Sequence, residues 1–71
     1  MMPIVTIQVT DEGVSKAQKA ELIKRSTEML SQVLDKDPQT TFVVIEEVNL
    51  DNWGVAGLPV MQFRQQHLLE K

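Results

Sequence analysis

Few residues in this chain have the chemistry to do more than fold, and the first of them is Pro3, in the opening stretch MMPIVTIQV. Inside a chain, a proline nitrogen is a tertiary amide with no basicity. At a free amino terminus it is a secondary amine, held by its ring in one orientation. An α-amino group titrates at about 7.7–8.0 in model compounds, and burial or a nearby positive charge lowers that value. Such an amine is neutral near physiological pH and can abstract a proton beside a carbonyl. The competing reading of Pro3 is structural: proline at the first residue of a strand costs no ladder hydrogen bond.

The remaining reactive side chains form no known catalytic set. There is no serine–histidine–acid spacing, no glycine-rich phosphate loop and no metal motif. Glu46 and Glu47 are adjacent; on a strand they point to opposite faces, so they read as ordinary surface charges rather than a paired-carboxylate site. The lone histidine, His67, lies in a polar tail without a second ligand at metal-binding spacing, and the absence of cysteine removes disulfides and thiolate ligands together. No metal is expected.

The elements that must position Pro3 can be read from periodicity. Residues 3–9 are rich in β-branched side chains, with Val5, Ile7 and Val9 on one face and Ile4, Thr6 and Gln8 on the other, which predicts a strand. A break at residues 10–13 is followed by Ser15-Lys-Ala-Gln18, the form of a capping box. The helix it opens is expected to run to about Leu34. Leu22, Ile23, Leu30, Val33 and Leu34 make its apolar stripe, Ser26 and Met29 lie at the margins, and Lys16, Lys19, Glu21, Lys24, Glu28 and Gln32 cover the outer side. Pro38 ends it. A second strand is expected over residues 40–48, with Val43 and Ile45 on one face and Phe42, Val44 and Glu46 on the other. Strand, helix, strand is a βαβ unit with parallel strands.

A parallel pair is normally covered on both faces, and one helix covers only one. The face carrying Ile4, Phe42 and Val44 therefore needs another partner. Residues 51–63, DNWGVAGLPVMQF, are apolar and turn-prone and predict a small hairpin poised to pack on a neighbouring subunit. From about Gln65 the tail is polar, and its order is left open. A 71-residue chain makes one domain, over residues 1–71, and buries only about 60% of the surface its unfolded form exposes. With neither disulfide nor metal, association is the remaining remedy. The fold class is thus α+β: a single βαβ unit with a short C-terminal hairpin, assembled into an oligomer whose subunits complete each other's core.

Net charge is −3 with the two signs interspersed, so nucleic acid is not expected as a partner. No apolar run approaches the ~18 residues of a membrane span, and no signal peptide is evident. Together with the absence of cysteine, this fits a cytoplasmic protein.

PIVTIQV at the start, a capped helix containing QKAELI, then FVVIEEV and NWGVAG resemble the 4-oxalocrotonate tautomerase family, over nearly the whole chain up to about Pro59. The resemblance implies a cofactor-independent keto–enol tautomerase. The initiator methionine is removed and the exposed proline shuttles a proton between carbon and oxygen of an enol. It also implies a βαβ subunit with a C-terminal hairpin, assembled as a homohexamer (a trimer of dimers), with a dimer as the other option. Carried onto this chain, Pro3 is the catalytic base and acid. Trp53 stands where the family has a pocket-lining aromatic; its structural reading is a plug in a subunit interface. With one residue inserted after the first strand, Val14 and Phe42 fall where the best-known members carry two substrate-binding arginines. Neither can hold a carboxylate, so a dicarboxylate is not the expected substrate. A less charged enol, keto acid or ketone, such as an aryl enol-pyruvate, fits better. Arg25 and Arg64 are the available replacements, though both read more simply as surface charge.

The doubled methionine adds a condition. Processing removes an initiator methionine before a small residue, and proline qualifies where a second methionine does not. Translation from Met2 exposes Pro3. Translation from Met1 leaves it an amide, and the chain is then a non-catalytic oligomeric or small-ligand-binding module. Within the enzyme class, a decarboxylase or hydratase-like activity on a keto acid is the near relative.

Overall fold

The computed structural model describes residues 2–69, with side chains through Gln66. β1 (Ile4–Thr10) leads into α1 (Lys16–Leu34), which returns the chain to β2 (Phe42–Val48); short 3-10 turns at Pro38–Thr40 and Leu50–Asn52 flank β2. β1 and β2 are parallel, in register from Ile4↔Phe42 through Ile7↔Ile45 to Thr10↔Val48. The C-terminal segment forms a two-residue antiparallel hairpin, β3 (Gly54–Val55) and β4 (Leu58–Pro59), followed by α2 (Val60–Leu69). The βαβ unit and the hairpin agree with the sequence reading.

The capping box forms as the sequence implies. Gln18 N–H donates to Ser15 Oγ at 3.0 Å, and Ser15 N–H donates to Gln18 Oε1 at 2.9 Å. α1 ends at Asp35 in the left-handed conformation (φ 54°). β2 starts two residues later than expected, because Asp37 organises a turn ahead of it. Its Oδ1 accepts from Gln39 N–H, its carbonyl accepts from the Thr40 and Thr41 hydroxyls, and Pro38 occupies the first turn position.

α1 covers the Val5, Ile7, Val43 and Ile45 side of the sheet only partly. Ser26, Thr27, Leu30 and Ser31 are half-buried, whereas Leu22, Ile23, Met29, Val33 and Leu34 stay exposed, Val33 at 74%. The expected apolar stripe is therefore wider than the contact. Two strands about 4.8 Å apart make a ribbon no wider than the helix itself, so only the innermost part of the stripe meets it. Lys19, expected on the outer side, instead turns toward the sheet and pairs with Glu47.

The opposite face of the sheet is open, with Ile4 61%, Phe42 49% and Val44 45% exposed. Val60, at 5%, is the one buried hydrophobic residue among those described. The radius of gyration is 16.1 Å, against about 11 Å for a compact chain of this length. The single subunit has the secondary structure of a domain and little of its core.

α2 was not legible in the sequence, which gave only a polar tail from about Gln65. The helix runs through Gln65 and Gln66. His67 belongs to it, but its side chain lies outside the described residues.

Candidate functional site

Pro3 sits immediately ahead of β1, half-buried, and its carbonyl accepts from Phe42 N–H at 3.0 Å. That bond continues the parallel ladder by one step and fixes the proline beside the first residue of β2. A proline can stand there because the ladder asks it only for a carbonyl. Ile4 and Phe42 are register partners, so Phe42 and Pro3 meet at the N-terminal end of the sheet, on the edge of the open apolar face.

Val14 and Trp53 lie at the other end. β1 and β2 run side by side for six residue steps before Thr10 and Val48, a distance of roughly 20 Å at the usual rise per residue. Val14 follows β1 and lines an open depression of about 380 Å³ with Gln18, Glu21, Leu22 and Arg25. The sequence explains that grouping, since Val14, Gln18, Leu22 and Arg25 recur at helical spacing along α1 and its lead-in. Trp53 follows the turn after β2, with its N–H donating to Leu50 O at 3.2 Å and its carbonyl accepting from Val60 N–H at 2.8 Å. Within one subunit Pro3 and Phe42 therefore stand together at the start of the sheet, whereas Val14 and Trp53 follow the far ends of β1 and β2 respectively.

Both arginines considered as replacements are engaged. Arg25 reaches Glu21 one turn back at 3.3 Å through a single nitrogen. Arg64 forks onto Glu12, Nη1 to Oε2 at 2.7 Å and Nη2 to Oε1 at 2.8 Å. Thr10 Oγ1 also donates to Glu12 Oε1. These hydrogen bonds, Arg64's first, hold the Glu12 carboxyl at about 2, well below its ordinary 4.5, and Glu12 raises Arg64 in turn. The fork links residues 52 positions apart; sequence reasoning missed it because it missed α2. The signal available was Val60 and Arg64 at i, i+4 directly behind a proline.

Glu46 and Glu47 do point to opposite faces. Gln8 Nε2 donates to Glu46 on the open side at 3.4 Å, while Glu47 pairs with Lys19 on the helix side. Hydrogen bonding with Lys19, and then with Asp11, lowers the Glu47 carboxyl. No group of three metal-ligating side chains occurs among the described residues, and no helix there is long and apolar enough to cross a membrane.

Comparison with known proteins agrees with this architecture. The family model described as "Tautomerase enzyme" matches residues 3–62. A relative in Dickeya dadantii, named "Probable tautomerase K2", is 48% identical over 65 residues, covering 92% of this chain and 97% of its own. The crystal structure of DmpI from Helicobacter pylori superposes with a TM-score of 0.83 at 32% identity, over 89% of this chain and 97% of that one. A 4-oxalocrotonate tautomerase from Chloroflexus aurantiacus, described as a heterohexamer, superposes with a TM-score of 0.77 at 28% identity, over 90% of this chain and all of its own. With a family model matching residues 3–62, a relative 48% identical along nearly all of its own length and a matching fold, the chain belongs to the tautomerase family.

Proposed function

We propose that this protein is a cofactor-independent keto–enol tautomerase that uses Pro3, freed of both methionines, as its general base and acid. The observation that carries the reading is the place of Pro3 in a tautomerase-family chain: at the head of β1, its carbonyl held by Phe42 N–H at 3.0 Å. That bond fixes the peptide plane after Pro3 and so limits where the ring nitrogen can lie. As a neutral secondary amine it takes the proton released when an enol O–H becomes C=O, and the resulting ammonium returns a proton to the adjacent carbon. The net change is an isomerisation, so no co-reactant is needed.

The pocket is shared. Phe42 and Pro3 of one copy are completed by Val14 and Trp53 of others, since within one subunit Val14 and Trp53 follow the far ends of strands roughly 20 Å long. The open Ile4, Phe42 and Val44 face supports association of this kind, and a homohexamer is the assembly the reading favours, in the cytoplasm. Trp53 supplies an apolar wall that excludes water. A drier site lowers the proline's pKa and strengthens polar contacts to the developing enolate. Val14 and Phe42 cannot grip a carboxylate, and Arg64 is occupied by Glu12. The substrate is therefore a weakly charged enol or ketone rather than a dicarboxylate.

Two measurements test the reading. The intact mass of untagged protein from its native source should lack both methionines, and Pro3→Ala should abolish ketonisation of phenyl enol-pyruvate. A retained methionine, or an active Pro3→Ala enzyme, would sink the proline mechanism and leave the chain as a ligand-binding member of the fold.

A further inference from the structure

We propose that Arg64 is a positioning residue: its fork on Glu12 locks α2, and through α2 the indole of Trp53, against the loop that carries Val14. The proposal rests on the reading above only for the consequence to catalysis, since the clamp itself is defined by the structure of one chain.

The mechanical connection runs through five named contacts. Asp11 N–H donates to Val48 O and Glu12 N–H to Thr10 O, both at 2.8 Å, so the turn bearing Glu12 is an extension of the sheet. The Thr10 hydroxyl donates to the Glu12 carboxylate and sets its orientation. Arg64 then meets that carboxylate with two parallel N–H···O bonds, a geometry that fixes direction as well as distance. Val60, one helical turn before Arg64 and hence on the same face of α2, is buried, and its N–H binds the Trp53 carbonyl at 2.8 Å. One face of one short helix thus carries the anchor for the Trp53 segment and the anchor for the strand end.

The need for such a clamp follows from how little else holds this segment. The hairpin strands are two residues each, and an isolated hairpin is marginal in water. α2 has ten residues, below the length at which a helix is stable alone. An arginine–carboxylate fork across 52 positions closes this segment onto the βαβ unit. A lysine at 64 would keep the charge and lose the second bond and the direction.

Trp53 is the single tryptophan of the chain, so its fluorescence reports the clamp without reference to turnover. In the full-length protein, Arg64→Gln and Glu12→Gln should each red-shift Trp53 emission and raise its quenching by acrylamide, with any loss of helix signal by circular dichroism no larger than the ten residues of α2. Arg64→Lys should recover only part of the native signal, and the exchanged pair Glu12→Arg with Arg64→Glu should recover more than either single reversal. Native emission and quenching in both glutamine variants would overturn the proposal, as would an exchanged pair no better than the single changes. Kinetics then separate this idea from the proposed activity. If Trp53 lines the pocket, KM for phenyl enol-pyruvate rises in Arg64→Gln while kcat changes little. A moved indole with unaltered KM leaves the clamp standing and removes Trp53 from the pocket.

Discussion

If association covers the open face of the sheet, replacing Val44 with lysine should weaken both the assembly and the fold. Val44 pairs in register with Thr6 on the uncovered face of the sheet, between Phe42 and Glu46, and is 45% exposed in the lone subunit. The uncovered fractions of Ile4, Phe42 and Val44 amount to about one and a half fully exposed apolar side chains, worth roughly 2–5 kcal/mol per subunit if a neighbour covers them. A domain of this length has only about 4–10 kcal/mol of total stability at ordinary per-residue values. Covering that face is therefore a large share of what keeps the chain folded. A lysine there loses the valine contact and places an unpaired ammonium in an apolar interface, costing several kcal/mol more unless the interface opens. Sedimentation equilibrium and thermal melts over a range of protein concentration read both effects. The native protein should sediment as a multiple of 8.1 kDa. Val44→Lys should sediment lighter, with a lower Tm that rises with concentration. Gln32→Lys, the same charge change on the exposed side of α1, should behave as native. A Val44→Lys protein of native mass and native Tm would show that this face meets solvent in the working protein, and the reasoning from its exposed area would be wrong.

Two other perturbations follow from the local geometry. The β3–β4 turn places Ala56 at φ 52° and Gly57 at φ 82°, the positive pair of a mirror-image hairpin turn; alanine costs about 1–2 kcal/mol in the left-handed region, so Ala56→Asn should raise Tm and Gly57→Ala should lower it, at fixed concentration. Glu12 and Glu47 both bind protons less readily when folded than when unfolded, so the stability they contribute is complete above the ordinary carboxylate range and is lost as pH falls; for Glu12 that window is from 4.5 down to about 2. Urea midpoints across this window should fall, and should fall less steeply in Glu12→Gln; equal slopes in the two proteins would remove the Arg64 fork as the cause.

The parts of the molecule legible in the sequence are those set by local pattern. The alternation Val5, Ile7, Val9, the Ser15–Gln18 box and the Pro38 stop specify β1, the start of α1 and its end without reference to anything distant. The turn-prone run 51–63, with glycines at 54 and 57, did the same for the hairpin. Composition also exposed the deficit, since two strands and one helix leave a sheet face without cover, and that face is open in the single chain. The misses have one cause. α2 begins with VMQFRQQ, in which no apolar stripe announces a helix, and the Glu12–Arg64 bond that steadies it joins positions far apart. Lys19 was misplaced for the same reason: periodicity assigns a residue to a face, whereas an ion pair to Glu47 on another element decides where a long side chain goes.

The sequence names candidate site residues without the distances between them. Family resemblance points to Pro3, Val14, Phe42 and Trp53 as one pocket, while Pro3 and Phe42 stand at the start of the paired strands and Val14 and Trp53 follow their far ends. On the proposed function, that separation is bridged by building the pocket between copies. The open face that leaves this chain short of a core begins at Ile4 and Phe42, directly beside Pro3. Association that covers the face therefore brings another copy to the proline's edge, and the same contact that supplies missing stability encloses the amine. On the proposed mechanism an exposed amine in water would be an ordinary base, and enclosure is what adjusts its pKa and excludes solvent. Variants that weaken assembly should accordingly lose turnover in proportion to the fraction dissociated, while leaving the activity per intact oligomer unchanged. On the proposed function, the features that make the subunit incomplete are the ones placed to form the site.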